Sequence, residues 1–398
     1  MRIVQTVFGV FHHFELARQL HRRGHLQRIY STWPWMRLKR EGLPRDLIET
    51  FPWIHTSETL MQRFGISHSW SLDQMSYANA LTFDSWTSRR LRRIPAPESP
   101  DILIGISGSS LKAGRELQAR GGRFICDRGS SHHLFQETIV SEEYRRWNVS
   151  RRVSDPRDTL REEQIYAIAD AITVPSSFAA RSFLQMGVPA GKVHVIPYGV
   201  RLEQFQRSEP ISPTNLNNEF NVLFAGSVSL RKGVPYLLQA FAQLRHSHKR
   251  LRIAGSIHPD IKTVLRSLPQ DQVDFLGPVP QSRLAQLMSS SQVMVLPSIE
   301  EGLALVQGQA LACGCPVLCS ANTGGEDLFT DGVEGFIVPI RDPAALTERM
   351  QQLADDPALQ QNMSQAALRR VHLLGGWNDY GDRWETLLHQ LAAAHPAQ

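Results

Sequence analysis

Short apolar segments alternate with helical patterns along most of this 398-residue chain, and this alternation limits the possible folds most strongly. In the first half, the apolar segments include Ile102–Ile106, Arg123–Asp127 and Ala171–Val174. A second series starts at residues 221–226 and continues through residues 293–297. Strands that alternate with helices form βαβ units, in which the strands are parallel. The sequence therefore predicts an α/β protein with a parallel sheet in each half.

A polar segment separates the two series. Residues 206–219 contain two prolines, several Ser and Asn residues and few apolar ones, a composition typical of linkers. We therefore predict a first domain at residues 1–200, a linker at 201–219 and a second domain at 220–378. Ligands of open α/β sheets bind beyond the carboxyl ends of the strands, so the strand-end loops of the second domain should face the first.

The charge is distributed unevenly. Residues 1–200 contain 27 Lys and Arg against 19 Asp and Glu, a net charge of +8, whereas the remainder contains 16 against 19, or −3. The cluster Arg89-Arg90-Leu91-Arg92-Arg93 could contact anionic lipids or an anionic acceptor, or it could be a solvated helix face. Nucleic acid is not an expected partner, because no binding motif accompanies the charge.

Localisation follows from the apolar runs and the N-terminus. No apolar run reaches the roughly 18 residues that a membrane-spanning helix needs. The segment Arg2–Val7 is typical of a strand, not of a signal peptide. We therefore expect a cytoplasmic protein that could lie peripherally at the inner face of an anionic membrane through its basic first domain.

Four cysteines raise the question of a metal site. Cys126 is isolated, whereas Cys313, Cys315 and Cys319 cluster in a segment typical of a helix end followed by a buried strand. Zinc would need a fourth ligand, and free Cys is often a small buried hydrophobe. Packing in the core is therefore the favoured interpretation.

Two basic residues follow the first strand of the second series. Arg231 and Lys232 lie between Gly226 and Gly233, just before a helical pattern that begins at Pro235. The free amides and dipole of a helix start favour anions, and the two side chains add positive charge. This loop is a candidate diphosphate site, with an exposed basic turn as the alternative.

A second candidate segment runs from a strand end into a helix, from Glu301 to Gln309. Gly302 permits close backbone approach, and the first amides of the helix can hold an anion. Gln309 lies eight residues after Glu301, about two helical turns on, so both side chains can reach one ligand. Together these features favour a ligand site over a helix-start acid and a solvated Gln.

Candidates in the first half follow two of its strands. Gly9 comes after the first strand and could let a ligand pass close to the backbone. His12 and His13 begin the next helix, with one exposed and one packed His as the alternative. The run Asp127-Arg128-Gly129-Ser130-Ser131-His132-His133 follows another strand and offers further polar side chains.

The motifs, in this order, resemble those of the retaining family-4 glycosyltransferases of GT-B fold (glycosyl transferases group 1), whose signature is Glu, seven residues, then Glu. The match continues in Thr323-Gly324-Gly325, Phe11–Ala17 and Ile196–Val200, and it is weakest at residues 32–95. The resemblance implies two Rossmann-like domains that face a central cleft. It also implies a C-terminal helix, at residues 379–398, that crosses back to the first domain.

The resemblance also implies roles for individual residues. Arg231 and Lys232 would hold the diphosphate of a UDP- or GDP-sugar donor, and Glu301 would be catalytic and bind the transferred sugar. The other donor-binding candidates are Gly9, Gly302, Leu303, Ala304, Leu305, Val306 and Gln309. A His often faces the transferred sugar in the family, and His132 or His133 could serve here; of the two, His132 is the second catalytic candidate. The acceptor, a polysaccharide, lipid or small molecule, would meet His12, His13, Asp127 and Arg128.

Two positions depart from the family pattern. The second Glu is Gln309 here, which can donate and accept a hydrogen bond but loses the charge-assisted contact to the ribose. The usual Arg after the first glycine of the phosphate loop is Ser227, and Arg231 would replace it. No Asp-x-Asp occurs, so we expect no metal site and no required cofactor. The alternatives are a lapsed enzyme that still binds a sugar nucleotide or a partner, and an epimerase or phosphorylase on the same fold.

Overall fold

The computed structural model describes residues 1–57, 69–151, 153–200, 204–207 and 219–393. Its strands are β1 Ile3–Val7, β2 Leu26–Ser31, β3 Ile48–Thr50, β4 Ile102–Ile106, β5 Arg123–Asp127, β6 Ala171–Val174, β7 Val193–Val195, β8 Phe220–Ala225, β9 Lys249–Ala254, β10 Val273–Gly277, β11 Val293–Leu296, β12 Val317–Ser320 and β13 Gly335–Val338. The α-helices bounded within the described residues are α1 Phe11–Arg22, α2 Trp35–Leu38, α3 Ser69–Arg92, α4 Leu111–Gln118, α5 His133–Arg146, α6 Pro156–Ile168, α7 Ser177–Gln185, α8 Val234–Gln243, α9 Lys262–Leu265, α10 Gln281–Ser289, α11 Leu305–Ala312, α12 Pro343–Asp355, α13 Pro357–Leu374 and α14 Trp377–Ala393.

These strands form two sheets, one in each half of the chain. The first sheet has the order β3-β2-β1-β4-β5-β6-β7 and the second β10-β9-β8-β11-β12-β13, and the pairings in both are parallel. In each sheet the order reverses once, between β1 and β4 and between β8 and β11. Ligand crevices of doubly wound sheets lie at such switch points. The predicted class, two Rossmann-like parallel-sheet domains, is confirmed.

Local sequence explains both the strands and the helix starts. Strands β1, β6, β8, β11 and β12 are buried along their whole length, as expected where helices cover both faces of a parallel sheet. Helices α6, α12 and α13 each begin with Pro after an Asp whose carboxylate accepts a first-turn amide. Proline and a capping Asp both suit these positions, so the helix boundaries follow from the sequence.

Helix α14 crosses back to the first domain and packs against α1, as the fold class predicts. His25 Nε2 lies 3.0 Å from the Glu385 carboxylate on this helix, and Trp384 is buried. The chain segments cross at Gly199, where an added Cβ would lie 2.5 Å from the Trp377 nitrogen. Residue 199 therefore has no room for a side chain. Residues 394–398 of the predicted crossing segment lie outside the described residues.

The predicted linker at 201–219 also lies mostly outside the described residues. All four cysteines are buried with free thiols, and burial raises the pKa of Cys313 to about 11 and that of Cys319 to about 12. Within the described part of the chain, no helix combines the length and the apolar character needed to cross a membrane.

Candidate functional site

Two loops of the second domain bring Arg231, Lys232 and Glu301 together. The first loop joins β8 to α8 and carries the two cations, and the second joins β11 to α11 and carries the acid. Lys232 Nζ forms an ion pair with the Glu301 carboxylate, and an Arg231 guanidinium nitrogen lies 3.7 Å from the same oxygen. Residues that the sequence singled out in separate motifs therefore form one group.

Two glycines allow the loops to pack closely. Gly233 has a φ of 67°, and a Cβ there would lie 1.9 Å from the Pro297 carbonyl oxygen, so the cationic loop can rest on the end of β11 only with glycine. A Cβ on Gly302 would lie 2.2 Å from the Gly129 carbonyl oxygen of the first domain. The close backbone neighbour of Gly302 is thus in the first domain, and donor binding by Gly302 stays a prediction.

The start of α11 offers fewer free amides than expected. The helix begins at Leu305, so the amides of Leu305 and Val306 have no acceptor within it. The Ala304 amide donates to the Thr323 carbonyl oxygen at 3.3 Å. The expectation of a free amide at Ala304 is therefore wrong, and the Leu303 side chain is buried.

Glu300 is a functional candidate that the sequence analysis missed. Its carboxylate is fully buried and accepts hydrogen bonds from Ser130 Oγ at 2.7 Å, Ser131 Oγ at 2.8 Å and Gln136 Nε2 at 2.8 Å. On its other side, Arg231 lies 3.3 Å away. Burial alone would raise the pKa of Glu300, but Arg231 and these hydrogen bonds lower it, so the group is ionised. One carboxylate thus connects a first-domain loop to a second-domain cation.

Gln309 lies on a cavity of 290 Å³ between the domains, which we call the Gln309 cavity. It is lined by both domains and by the crossing helix, through Val10, His12, Gln281, Leu305, Gln309 and Trp377, among others. Gly9, next to this lining, has a φ of 74°, and a Cβ there would lie 3.3 Å from Trp33 Nε1. Glycine at position 9 therefore shapes the turn that carries Val10 into the cavity wall.

His12, His13 and Asp127 form a buried cluster at the first-domain side of the cleft. Asp127 Oδ2 lies 3.1 Å from His12 Nε2 and 3.4 Å from His13 Nε2, and the two rings stack at 3.9 Å. Both histidines are buried, which excludes the alternative of one exposed ring. Burial, followed by the neighbouring His12, lowers the pKa of His13 to about 3, so this ring is neutral at pH 7.

Two groups of described residues have ligand atoms close enough to hold a metal ion. One is this buried cluster, and the other is His25, Glu385 and His389 near the surface. Imidazole and carboxylate ligands suit several divalent metals. In the buried cluster the two rings are stacked on each other and both approach the same carboxylate oxygen of Asp127.

His132 does not face the cleft, which corrects the expectation for this residue. Its ring is buried, 4.9 Å from the rings of Tyr166 and Phe183, and burial lowers its pKa to about 4. Its backbone nitrogen donates to Ser182 Oγ at 2.8 Å, which holds the residue under the start of α5. The next residue, His133, lines the cleft instead.

Cavities continue along the cleft beyond the buried cluster. A cavity of 520 Å³, here called the Asn79 cavity, is lined by Phe8, Asn79, Arg128, His133, Glu162 and Arg231, among others. Between it and the Gln309 cavity lies a space of 400 Å³ whose lining includes His12 and His13. Arg128 lines both the Asn79 cavity and this middle space, and His12 lines both the middle space and the Gln309 cavity. The cleft is therefore a continuous row of three spaces.

Two Rossmann-like sheets that face such a cleft, with a helix crossing back between them, define the GT-B class of glycosyltransferase folds. The family model described as Glycosyltransferase Family 4 matches residues 10–204, and the one described as Glycosyl transferases group 1 matches residues 206–370. The chain belongs to the family-4 glycosyltransferases.

The individual relatives and solved structures that match share only a minority of their residues with this chain. A D-inositol 3-phosphate glycosyltransferase of Streptomyces avermitilis is 31% identical over 256 residues, which is 59% of this chain and 53% of that relative. Sucrose-phosphate synthase of Thermosynechococcus elongatus has a similar structure, with a TM-score of 0.72 and 21% identity over 99% of this chain and 100% of that one. The structure of HepE of Anabaena in complex with UDP-glucose has a TM-score of 0.69 and 16% sequence identity, and the match covers 98% of this chain and 100% of that one. At these identities the solved structures show the fold alone.

Proposed function

We propose that this protein transfers a sugar from a UDP- or GDP-sugar to a hydroxyl group of a polysaccharide, lipid or small molecule, with retention at the anomeric carbon. The observation that carries the proposal is the grouping of Arg231 and Lys232 with Glu301 beside the start of α11. Family membership supports it, as does the UDP-glucose in the complex of the structurally similar HepE. In this proposal residues 220–378 bind the donor and residues 1–200 the acceptor.

The donor diphosphate would replace Glu301 as the partner of the two cations. An anion at this place gains from Arg231 and Lys232 and from the first amides of α11. Glu301, released from Lys232, would accept hydrogen bonds from hydroxyl groups of the transferred sugar. The nucleoside would then enter the Gln309 cavity, with the Gln309 amide at the ribose.

Catalysis would depend mainly on stabilising the leaving group. As the bond from the sugar to the diphosphate breaks, negative charge develops on the diphosphate beside fixed cations, which lowers the barrier. The acceptor hydroxyl attacks from the same face, its oxygen bonds to the anomeric carbon, and its proton passes to the departing phosphate oxygen. We assign no step to a metal ion or to a cofactor, and we place His133 instead of His132 near the transferred sugar.

Alanine variants of Lys232 and Glu301 test this function. With UDP-glucose and GDP-glucose as donors, each variant should lower the rate of sugar transfer and donor hydrolysis about 100- to 1000-fold, the usual cost of losing a charge-stabilising group. Lys262→Ala, at an exposed residue of α9, is the matched control. Full activity of both Lys232→Ala and Glu301→Ala would refute the site.

We also propose a cytoplasmic location with peripheral membrane contact through the end of α3. Arg90 pairs with Glu49 at 3.1 Å and Arg92 with Glu116 at 2.6 Å, so these two charges are partly neutralised. The contact would therefore depend mainly on the remaining arginines of the cluster, Arg89 and Arg93, and it would be weak. Co-sedimentation with anionic vesicles should occur at low salt and disappear at high salt, and no binding at low salt would exclude the contact.

A further inference from the structure

One wall of the Asn79 cavity is formed by helix α3. Ser76, Asn79 and Ala80 line it from α3, at spacings of three and four residues that place them on one helix face. Helix α3 lies in the segment where the family pattern is weakest. At the opposite side the cavity reaches Arg231, next to the proposed diphosphate position. A ligand here would lie beside the proposed position of the transferred sugar, in contact with α3.

The charges that line this cavity neutralise one another. Arg128 lies 3.1 Å from the Glu162 carboxylate, and Arg151 lies 2.7 Å from that of Glu137. Asp158 also lines the cavity, and its carboxyl group, unlike those of Glu137 and Glu162, forms no ion pair with an arginine among the described residues. Burial raises the pKa of Asp158, and nearby acids add to this effect. The arginines on the first-domain side are thus already paired, while one carboxyl group is left over.

Two polar atoms in the cavity wall are buried and unsatisfied. Neither Asn79 Oδ1 nor His133 Nε2 has a hydrogen-bond partner among the described residues, and Asn79 is 4% exposed. Buried polar atoms are nearly always hydrogen-bonded, so a polar ligand in this cavity would satisfy both atoms once the two side chains turn toward it. Phe8, Ala80 and Val140 add apolar surface to the same lining, which suits the C–H face of a sugar ring.

We propose that the Asn79 cavity binds the acceptor, and that this acceptor is an uncharged polyhydroxyl compound, a sugar or cyclitol unit without phosphate or carboxylate. The proposal rests on the proposed function, because only a transferase needs an acceptor there. Hydroxyl groups satisfy Asn79 and His133 and donate to Asp158. A phosphorylated acceptor would instead place its charge beside Glu137, Asp158 and Glu162, whose like charge disfavours it.

Matched pairs of acceptors test the inference. The protein, with and without UDP, is titrated with glucose and glucose 6-phosphate, fructose and fructose 6-phosphate, and myo-inositol and inositol 3-phosphate. We expect at least one uncharged member to bind, and to bind about tenfold or more tightly than its phosphate ester. Tighter binding of the esters, equal binding within every pair, or no binding of any uncharged member would overturn the proposal.

The UDP titration separates this inference from the function on which it rests. If neither UDP nor GDP, titrated in the same way, binds, the proposed donor site fails. If UDP binds and the phosphate esters are preferred, only the inference about the acceptor fails. Calorimetry or a thermal-shift series reports both affinities on the same sample.

Three variants examine the cavity directly. Glu162→Gln removes the partner of Arg128 and should reduce the preference for uncharged acceptors at least threefold, whereas Glu163→Gln, on the same helix but outside the lining, should not change it. Asp158→Asn should act in the same direction as Glu162→Gln without removing an ion pair. Ala80→Phe should abolish acceptor binding while UDP binding remains. Unchanged preference in both charge variants, or normal acceptor binding with Phe at position 80, would contradict the proposal.

Discussion

The two walls of the cleft treat charge in opposite ways. The second-domain wall presents Arg231 and Lys232 on loops, partly exposed and paired with Glu301. The first-domain wall buries its titratable groups, keeps His13 neutral and ties Arg128 to Glu162. A wall of exposed cations can exchange its carboxylate partner for a diphosphate. A wall whose charges are already balanced can select an uncharged ligand. This difference supports donor binding at the second-domain wall and acceptor binding at the first-domain wall.

Glu300 is the point where the two walls are joined. Replacing it with Ala should cause the largest loss of stability that we predict, because Arg231 loses a buried partner and three first-domain donors are left unsatisfied. Removing one partner of a buried pair costs about 3–5 kcal/mol. Urea denaturation should show a loss of stability of this order, and kcat/KM should also fall, because Arg231 beside the proposed diphosphate position is no longer held in place.

An exposed pair between the same two domains provides the control. Arg181 lies 2.6 Å from Glu326, and both side chains are more than one third exposed. Glu326→Ala should cost less than about 1 kcal/mol, as is usual for surface ion pairs. If Glu300→Ala were no more harmful than Glu326→Ala, the two walls would not be coupled through Glu300.

The second prediction concerns two buried, neutral histidines of the first domain, His13 in the cleft wall and His132 beneath it. The pKa of His13 is lowered to about 3 and that of His132 to about 4, each mainly by burial, whereas unfolded histidines titrate near 6.5. Below about pH 6.5 the unfolded chain binds protons that the folded chain does not, so stability falls as pH falls, until the folded pKa values are reached. At pH 5 the loss should be about 2 kcal/mol for each group.

Urea midpoints measured at pH 7 and pH 5 check this loss. His13→Gln and His132→Gln should each make stability less dependent on pH, whatever they do to stability itself, and exposed His248→Gln should leave the dependence unchanged. A pH dependence that stays the same in both buried variants would show that these rings are not the neutral groups of the wall.

The two walls also differ in how far they could be predicted from sequence. Arg231, Lys232 and Glu301 each lie within a few residues of a strand end, and the carboxyl ends of parallel strands share one edge, so a local pattern is enough to bring them together. The first-domain wall is assembled from α3, α5 and α6. No local pattern shows that Asn79 and Glu162 line one cavity.

Two pairs of adjacent residues of the same type show most clearly what the local sequence could not predict. His132 and His133 are adjacent at the start of one helix. The His132 amide donates to the hydroxyl group of Ser182, which is distant in sequence, and this contact keeps His132 beneath the helix. Glu300 and Glu301 likewise follow one strand, and first-domain hydroxyl groups select Glu300 for burial. Which of two adjacent side chains enters a cleft depends on tertiary contacts that the local sequence does not contain.

The third prediction concerns ion pairs that join the two domains at the edge of the cleft. Arg341 of the second domain lies 2.6 Å from the buried Glu143 and 3.2 Å from Glu142, both on α5. Its φ of 61° is uncommon for a residue with a side chain. Arg341→Ala should weaken domain closure and raise KM for both substrates several-fold, an effect of about 1 kcal/mol, while kcat changes less.

Arg341→Gly separates closure from backbone strain. Both variants lose the ion pairs, but glycine adopts the positive φ without cost, so it should be the more stable of the two by about 1 kcal/mol in denaturation. Their KM values should nevertheless agree. A normal KM in both variants would mean that these ion pairs do not hold the two domains together.

The smallest predicted effect refines the donor wall at Gln309. Gln309→Glu restores the usual carboxylate, and charge-assisted hydrogen bonds to a ribose are stronger than neutral ones, so UDP should bind about three- to tenfold more tightly. The gain is limited because Glu15 and Glu41, the partners of Arg18, line the same cavity and repel a further carboxylate. The comparison is made by calorimetry with UDP and 2′-deoxy-UDP, and exposed Gln361→Glu is the control. A gain that is equal for the deoxynucleotide, or no gain at all, would place the ribose away from Gln309.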